Sequence, residues 1–159
     1  MSERTSFIVE STTAEVGGAG PEATPKNSHM AKKLPSLRVL IVDDEPLIRW
    51  SLSETLSASG HSVIEACDGE TAVRTLSEGK EPVDVIVLDY RLPDSNDLNL
   101  LSTLRRLAPF SQIIMMTAFG TPEMTNGALS LGAYRVVPKP FEMHDMANLV
   151  LEAHASRPQ

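Results

Sequence analysis

Val83-Asp84-Val85-Ile86-Val87-Leu88-Asp89 decides the fold: a strand-like run of aliphatic residues that stops on an acid. It is near-continuously apolar from Val85 to Leu88, which suits a parallel sheet buried on both faces. Similar runs lie on either side of it. Leu37-Arg38-Val39-Leu40-Ile41-Val42 leads into Asp43-Asp44, Gln112-Ile113-Ile114-Met115-Met116 into Thr117, and Tyr134-Arg135-Val136-Val137-Pro138 into Lys139. The pattern predicts strands near 37–42, 62–66, 83–88, 112–116 and 134–137, alternating with helices near 46–58, 69–78, 97–107, 121–131 and 141–154. Five βα units make an α/β domain with helices on both faces of a parallel sheet.

Local signals agree with these helices. Pro46 and Pro122 fit first-turn positions, Thr121 can cap the helix that follows it, and Gly60, Gly79 and Gly132 fall where helices should stop. Asn126-Gly127 inside the fourth helix is a weak point, because glycine costs a helix interior roughly 1 kcal/mol relative to alanine. Either that helix is a mobile switching element or it is simply distorted.

The 159 residues fit one domain, and 42% apolar with 22% charged residues is an ordinary globular balance. Residues 1–35 are rich in Ser, Thr, Gly, Pro and Glu and read as a disordered tail, with Phe7-Ile8-Val9 too short to change that. Ser28-His29-Met30 matches a cloning junction. The folded domain is expected over 36–155, followed by a short polar end at 156–159. Seven aromatics (Phe7, Trp50, Tyr90, Phe110, Phe119, Tyr134, Phe141) leave few surfaces for stacking bases. A net charge of -7 without basic clusters argues against direct binding to nucleic acid or an anionic membrane. Cys67 stands alone, which excludes an intrachain disulfide and a cysteine-based zinc site and fits a reducing compartment. No basic residue neighbours it in sequence, so a turn thiol is expected rather than a redox residue. With no signal-peptide stretch and no apolar run near the ~18 residues of a membrane span, the expected location is cytoplasmic.

In open α/β sheets, ligands bind outside the carboxyl ends of the strands, so Asp43, Asp44, Asp89, Thr117 and Lys139 should share one rim. Three carboxylates together are unfavourable without a counter-ion but suit a hard divalent cation, with Mg²⁺ the natural candidate. Asp89, alone after the most apolar strand, is the best nucleophile; Asp43 and Asp44 are better suited to holding the ion. A Lys139 ammonium and a Thr117 hydroxyl can bind the oxygens of a transferring phosphoryl group. Taken singly, each residue is explained as a cap, a turn or a solvated charge. Their conjunction at four strand ends points to phosphoryl chemistry.

Asp43-Asp44-Glu45-Pro46, Asp89 with Leu92-Pro93, Thr117-Ala118-Phe119-Gly120 and Lys139-Pro140-Phe141 resemble the receiver domain of two-component response regulators, over about residues 37–154. The resemblance implies a flavodoxin-like, doubly wound (βα)5 three-layer sandwich with strand order 2-1-3-4-5. It implies Asp89 as phosphoacceptor, Mg²⁺ held by Asp43, Asp44, Asp89 and the Arg91 backbone carbonyl, and Thr117 and Lys139 on the phosphoryl group. The phosphoryl group would come from a sensor histidine kinase, a phosphotransfer protein or a small phosphodonor. Slow hydrolysis would follow, and output would be a population shift that switches binding to a downstream protein.

The sequence departs from that pattern in two places. The position three before the lysine, usually aromatic in receivers, is Val136; Tyr134, two residues earlier, is expected on the same side of the strand, either as a partial substitute or, the favoured reading, as ordinary packing. Asp97 stands where receivers commonly carry glycine and is expected to cap the third helix. Arg91 and Phe119, two residues after Asp89 and Thr117, form a bulky pair that should shield an acyl phosphate from water and slow its loss. His61, His144 and His154 lack ligand spacing and are expected to face solvent.

The leading expectation is a phosphorelay signalling module without an attached effector, with the face of helix four, strand five and helix five as its contact surface by resemblance. A piece of a longer regulator is the alternative, because the Thr117–Thr121 and Pro138–Phe141 wording resembles nitrogen-regulation receivers, which often precede effector domains. A non-phosphorylated scaffold is a further reading. A phosphatase with an aspartyl-phosphate intermediate is disfavoured by Arg91, which replaces the usual proton-donating Asp two residues after the nucleophile. Flavin binding is disfavoured by the lack of a Ser/Thr/Gly-rich loop after the first strand.

Overall fold

A computed structural model describes residues 34–157. Residues 1–33 and 158–159, which include most of the tail expected to be disordered, with Phe7-Ile8-Val9, and the last of the polar end, lie outside the described residues. The elements alternate as β1 (Arg38–Val42), α1 (Pro46–Ala58), β2 (Ser62–Ala66), α2 (Gly69–Glu78), β3 (Val85–Asp89), α3 (Asn99–Leu107), β4 (Gln112–Thr117), α4 (Pro122–Ser130), β5 (Arg135–Pro138) and α5 (Met143–Ala155). The sheet runs β2-β1-β3-β4-β5 and every pairing is parallel. This is the expected flavodoxin-like order.

The apolar runs have a simple cause, since both faces of the central strands are covered. Val39, Ile41, Val85, Val87, Ile114 and Met116 pack with Leu52 and Leu56 of α1 and with Met146 and Val150 of α5. The alternate residues Leu40, Val42, Ile86, Leu88, Ile113 and Met115 pack with Ala72 of α2, Leu101 and Leu104 of α3 and Ala128 of α4. Side chains of a strand alternate between faces, so a strand with two cores must be apolar throughout. The edge strands β2 and β5 have no such demand and carry exposed Ser62, Glu65 and Arg135.

Helix boundaries follow local chemistry. Pro46 and Pro122 stand at helix starts, and the Thr121 hydroxyl accepts the Met124 amide at 3.1 Å. The third helix begins later than expected, at Asn99 with Leu98 in the cap position; Asp97 instead accepts the Asn99 amide at 2.9 Å. Gly132 ends α4 with φ +107°, and a Cβ there would lie 2.6 Å from Arg105 Cδ. Helix α4 continues through Gly127, where a Cβ would approach Leu98 Cδ1 to 3.0 Å, so close packing gives that glycine a structural reason.

His61 does not face solvent. The chain turns inward after Gly60, and His61 is 6% exposed, with Nδ1 accepting the Leu37 amide at 3.1 Å. His144 is exposed and His154 half-buried. Burial lowers the His61 pKa from its ordinary 6.5, against the opposing charge of Asp84. A histidine whose pKa is depressed on folding removes stability as pH falls through its unfolded value. Thermal unfolding over pH 5–8 should therefore show less acid destabilisation in His61→Gln, which does not titrate, than in the wild type.

Candidate functional site

The four strands that end on or run into polar residues deliver them to one rim. Asp89 is the last residue of β3, Thr117 the last of β4, and Asp43 and Lys139 directly follow β1 and β5. The loop carrying Lys139 is fixed to β4, because the Lys139 amide donates to the Thr117 carbonyl at 2.8 Å. Asp43 is held from both sides: its amide donates to Ala66 O at 3.1 Å and its own carbonyl accepts from Arg49 Nη1 at 2.7 Å. Its side chain is fully buried and Oδ1 accepts the Glu45 amide at 2.8 Å.

One ammonium sits among three acids. Lys139 Nζ lies 3.1 Å from Asp43 Oδ2, 2.9 Å from Glu45 Oε1 and 3.3 Å from Asp89 Oδ2. Burial raises the Asp89 pKa from 3.8 to about 6, and the Asp43 charge adds to that, while Lys139 and the Arg91 backbone amide pull it down. Burial also raises Asp43, against the Glu45 amide and Lys139. For Lys139, burial opposes the charge, but the hydrogen bond to Glu45 and the charges of Asp89 and Asp43 outweigh it and hold the ammonium above its ordinary value. A single cation cannot compensate three anions, so the site retains an acidic surplus.

Carboxylate oxygens of Asp43, Glu45 and Asp89 lie within 4.8 Å of one another, the one group among the described residues with this metal-holding geometry. An all-oxygen set of this kind fits a hard divalent cation. Glu45 is the residue that sequence reasoning missed. It sits in the Asp43-Asp44-Glu45-Pro46 run and was legible only as part of an acidic helix start. It occupies the cap position of α1 without a side-chain capping bond, which leaves its carboxylate to reach Lys139. Asp44 is exposed and stands apart from the group of three, although it lines the same cleft.

That cleft has a volume of about 720 Å³ and is lined by Asp44, Glu45, Asp89, Arg91, Thr117, Phe119 and Lys139, among others. Thr117 is 4% exposed and its Oγ1 accepts the Phe119 amide at 3.3 Å. Phe119 itself is 82% exposed, and Arg91 is also exposed. Cys67 is exposed and unpaired.

Tyr134 and Val136 do not share a face. Tyr134 packs with the core under α1 and α5, together with Val137, whereas Val136 packs with the opposite core. Period-two alternation fails between them because β5 begins only at Arg135 and Tyr134 precedes its regular pleat. Tyr134 is packing, as expected, with its ring 5.3 Å beneath the Arg135 guanidinium carbon and its hydroxyl 3.3 Å from Ser156 Oγ.

No helix among the described residues is long and apolar enough to cross a membrane. The family model of the response regulator receiver domain matches residues 39–151. The chain is 31% identical over 115 residues to the DNA-binding transcriptional regulator NtrC of Azospirillum brasilense, covering 72% of this chain and 24% of the relative. It thus spans about a quarter of that relative's length. A CheY-like response regulator receiver domain protein from Methanospirillum hungatei superposes with a TM-score of 0.71 at 26% identity, covering 76% of this chain and 95% of that one. A chain of the CheX-CheY-BeF3-Mg complex from Borrelia burgdorferi superposes with a TM-score of 0.68 at 26% identity, covering 73% and 87%. The family match runs from Val39 in β1 to Leu151 in α5 and so takes in the whole rim described above; the chain belongs to the response regulator receiver domain family of two-component signalling.

Proposed function

We propose that the chain is a phosphorylatable receiver that accepts a phosphoryl group on Asp89 and thereby switches a protein–protein interaction. The observation that carries this reading is the Asp89 carboxylate, which lines the cleft 3.3 Å from Lys139 Nζ and is grouped with Asp43 and Glu45. Mg²⁺ bound by Asp43 and Asp89, with the Arg91 carbonyl and with Asp44 or Glu45 completing the acidic shell, would neutralise charge on the phosphoryl oxygens. An Asp89 oxygen attacks phosphorus of a phosphohistidine on a sensor kinase or phosphotransfer protein. The N–P bond breaks, its electron pair stays on the imidazole nitrogen, and that nitrogen takes up a proton. Lys139 and the Thr117 hydroxyl then hold the remaining phosphoryl oxygens. Water later attacks phosphorus and returns the Asp89 carboxylate and inorganic phosphate.

The Mg and BeF3 of the Borrelia burgdorferi complex support this reading, as does the match to a family of signalling domains. The reading places the protein in the cytoplasm, where such kinases present their phosphohistidine, with the α4, β5 and α5 face as the surface for its target. Incubation with Mg²⁺ and a small acyl phosphate should add one phosphoryl group to the wild type and none to Asp89→Asn by intact mass. No adduct under conditions that load a control receiver, with hydrolysis excluded by trapping, would overturn it in favour of a scaffold. Arg91 and Phe119 flank the cleft, so the loaded protein should lose phosphate slowly, and Phe119→Ala should shorten its lifetime several-fold by admitting water. An unchanged lifetime in that variant rejects the shielding.

A further inference from the structure

Asp94 lies in the loop between β3 and α3, five residues beyond Asp89, yet both its carboxylate oxygens are engaged elsewhere in the fold. Oδ1 accepts the Gly69 amide at 2.9 Å and Oδ2 accepts the Glu70 amide at 3.0 Å, both at the start of α2. The next free amide of that helix, Thr71, is taken by Asp68 Oδ1 at 2.8 Å. Two carboxylates therefore share one helix start, where unpaired amides and the helix dipole favour negative charge. Asp68 does so locally, as the N-cap, whereas Asp94 reaches in from a separate loop.

The loop is also closed on itself at this point. Leu92 N donates to Ser95 O at 2.7 Å and Ser95 N to Leu92 O at 3.2 Å, with Asp94 between them and Leu92 buried. Next to Leu92 is Arg91, whose backbone amide hydrogen-bonds to the Asp89 carboxylate. The contact leaves no slack on the helix side either. A Cβ on Gly69 would stand 3.0 Å from Leu100 Cδ2 and 3.2 Å from Asp94 Oδ1.

We infer that Asp94 is a positioning residue for the chemistry at Asp89. It clamps the β3–α3 loop to the first turn of α2 and so fixes the Arg91 backbone, amide and carbonyl, beside the Asp89 carboxylate. The inference rests on the phosphoreceiver reading above for its chemical consequence, while the clamp itself stands on the hydrogen bonds. A loop that is free to shift would misplace a backbone ligand, and loss of such supporting contacts typically weakens metal affinity about tenfold or more.

The test compares Asp94→Ala, Asp94→Asn, Gly69→Ala and Asp68→Ala with the wild type by three measurements: Mg²⁺ affinity by calorimetry, acyl-phosphate loading rate by intact mass, and amide exchange of the loop over 90–95. Asp94→Ala is expected to weaken Mg²⁺ binding roughly tenfold and to speed exchange of the loop. Its loading rate should recover most of the loss at saturating Mg²⁺. Asp94→Asn, which keeps one acceptor oxygen, falls between, and Gly69→Ala reproduces part of the defect with the Asp94 carboxylate intact. Asp68→Ala removes a cap from the same helix but no bond to the loop, so it lowers thermal stability without moving Mg²⁺ affinity or loop exchange. Equal Mg²⁺ losses in Asp68→Ala and Asp94→Ala would reduce Asp94 to a helix cap and overturn the inference. Unchanged loop exchange in Asp94→Ala overturns the clamp. A wild type that takes no phosphoryl group overturns the receiver reading and the positioning role with it, and is told apart by the wild-type arm alone.

Discussion

Lys139→Met is expected to lower the stability of the metal-free protein at neutral pH by about 3 kcal/mol, the usual cost of removing one partner from a buried ionic cluster. Lys139 is the ammonium shared by Asp43, Glu45 and Asp89, and the Asp43 and Asp89 side chains are 0% and 7% exposed. Without it, the pKa values of Asp89 and Asp43, already raised chiefly by burial, rise further. The native state then holds protons that the unfolded chain releases above the ordinary carboxylate value of 3.8. Stability falls with rising pH wherever the native state binds more protons, so the deficit is largest at neutral pH and shrinks below that value. A divalent cation should restore much of the loss, since it binds only the folded cluster. Denaturant unfolding of wild type and variant, with chelator and with Mg²⁺ at two pH values, checks this. A deficit that neither acid nor Mg²⁺ relieves would reject the charge account. Phosphoryl loading of the same variant should drop about a hundredfold, in line with loss of one charge-stabilising donor at a reacting centre.

Asp89→Asn should move stability the other way. In the wild type the Asp89 pKa rises from 3.8 to about 6 on folding, so its ionised form at neutral pH works against the native state. A shift of that size corresponds to about 2–3 kcal/mol, and removing the charge should recover about 2 kcal/mol at pH 7, or roughly 5–10 °C in Tm. The gain is absent below pH 3.8, opens between 3.8 and about 6, and is level above that. Saturating Mg²⁺ should narrow the gap, because the wild type offers the better site. Thermal unfolding of both proteins in chelator across this range measures it. The same substitution thus stabilises the fold and abolishes phosphoryl loading, as expected when a carboxylate is kept in a costly place for its chemistry.

The opposite signs at two residues of one cluster follow from a count of charges. The adjacent acids, the lone acid, the hydroxyl and the lysine were each readable at a strand end, because strand length and direction are local properties of apolar runs. Placing those ends on one rim needs only the parallel α/β architecture, which the continuous apolar strands already demand. Which acids reach inward is a different question. Asp43 and Asp44 are adjacent in sequence, yet Asp43 is buried against Lys139 while Asp44 is exposed, and the third carboxylate of the cluster comes from Glu45. Backbone direction after β1 makes that choice, through the Ala66 and Arg49 contacts that hold Asp43.

The sequence by itself determined the βα alternation, the two-sided burial of the central strands and the four polar strand ends, because these depend on periodicity along single segments. Only the tertiary structure decided the inward turn of His61, the separation of Tyr134 and Val136 onto opposite cores, the inclusion of Glu45 and the reach of Asp94 to α2. Each of those depends on where one segment meets another. His61 meets Leu37 across 24 residues, Lys139 meets Asp43 across 96 and Gly69 meets Asp94 across 25, and no local pattern encodes the angle or depth at which such partners arrive.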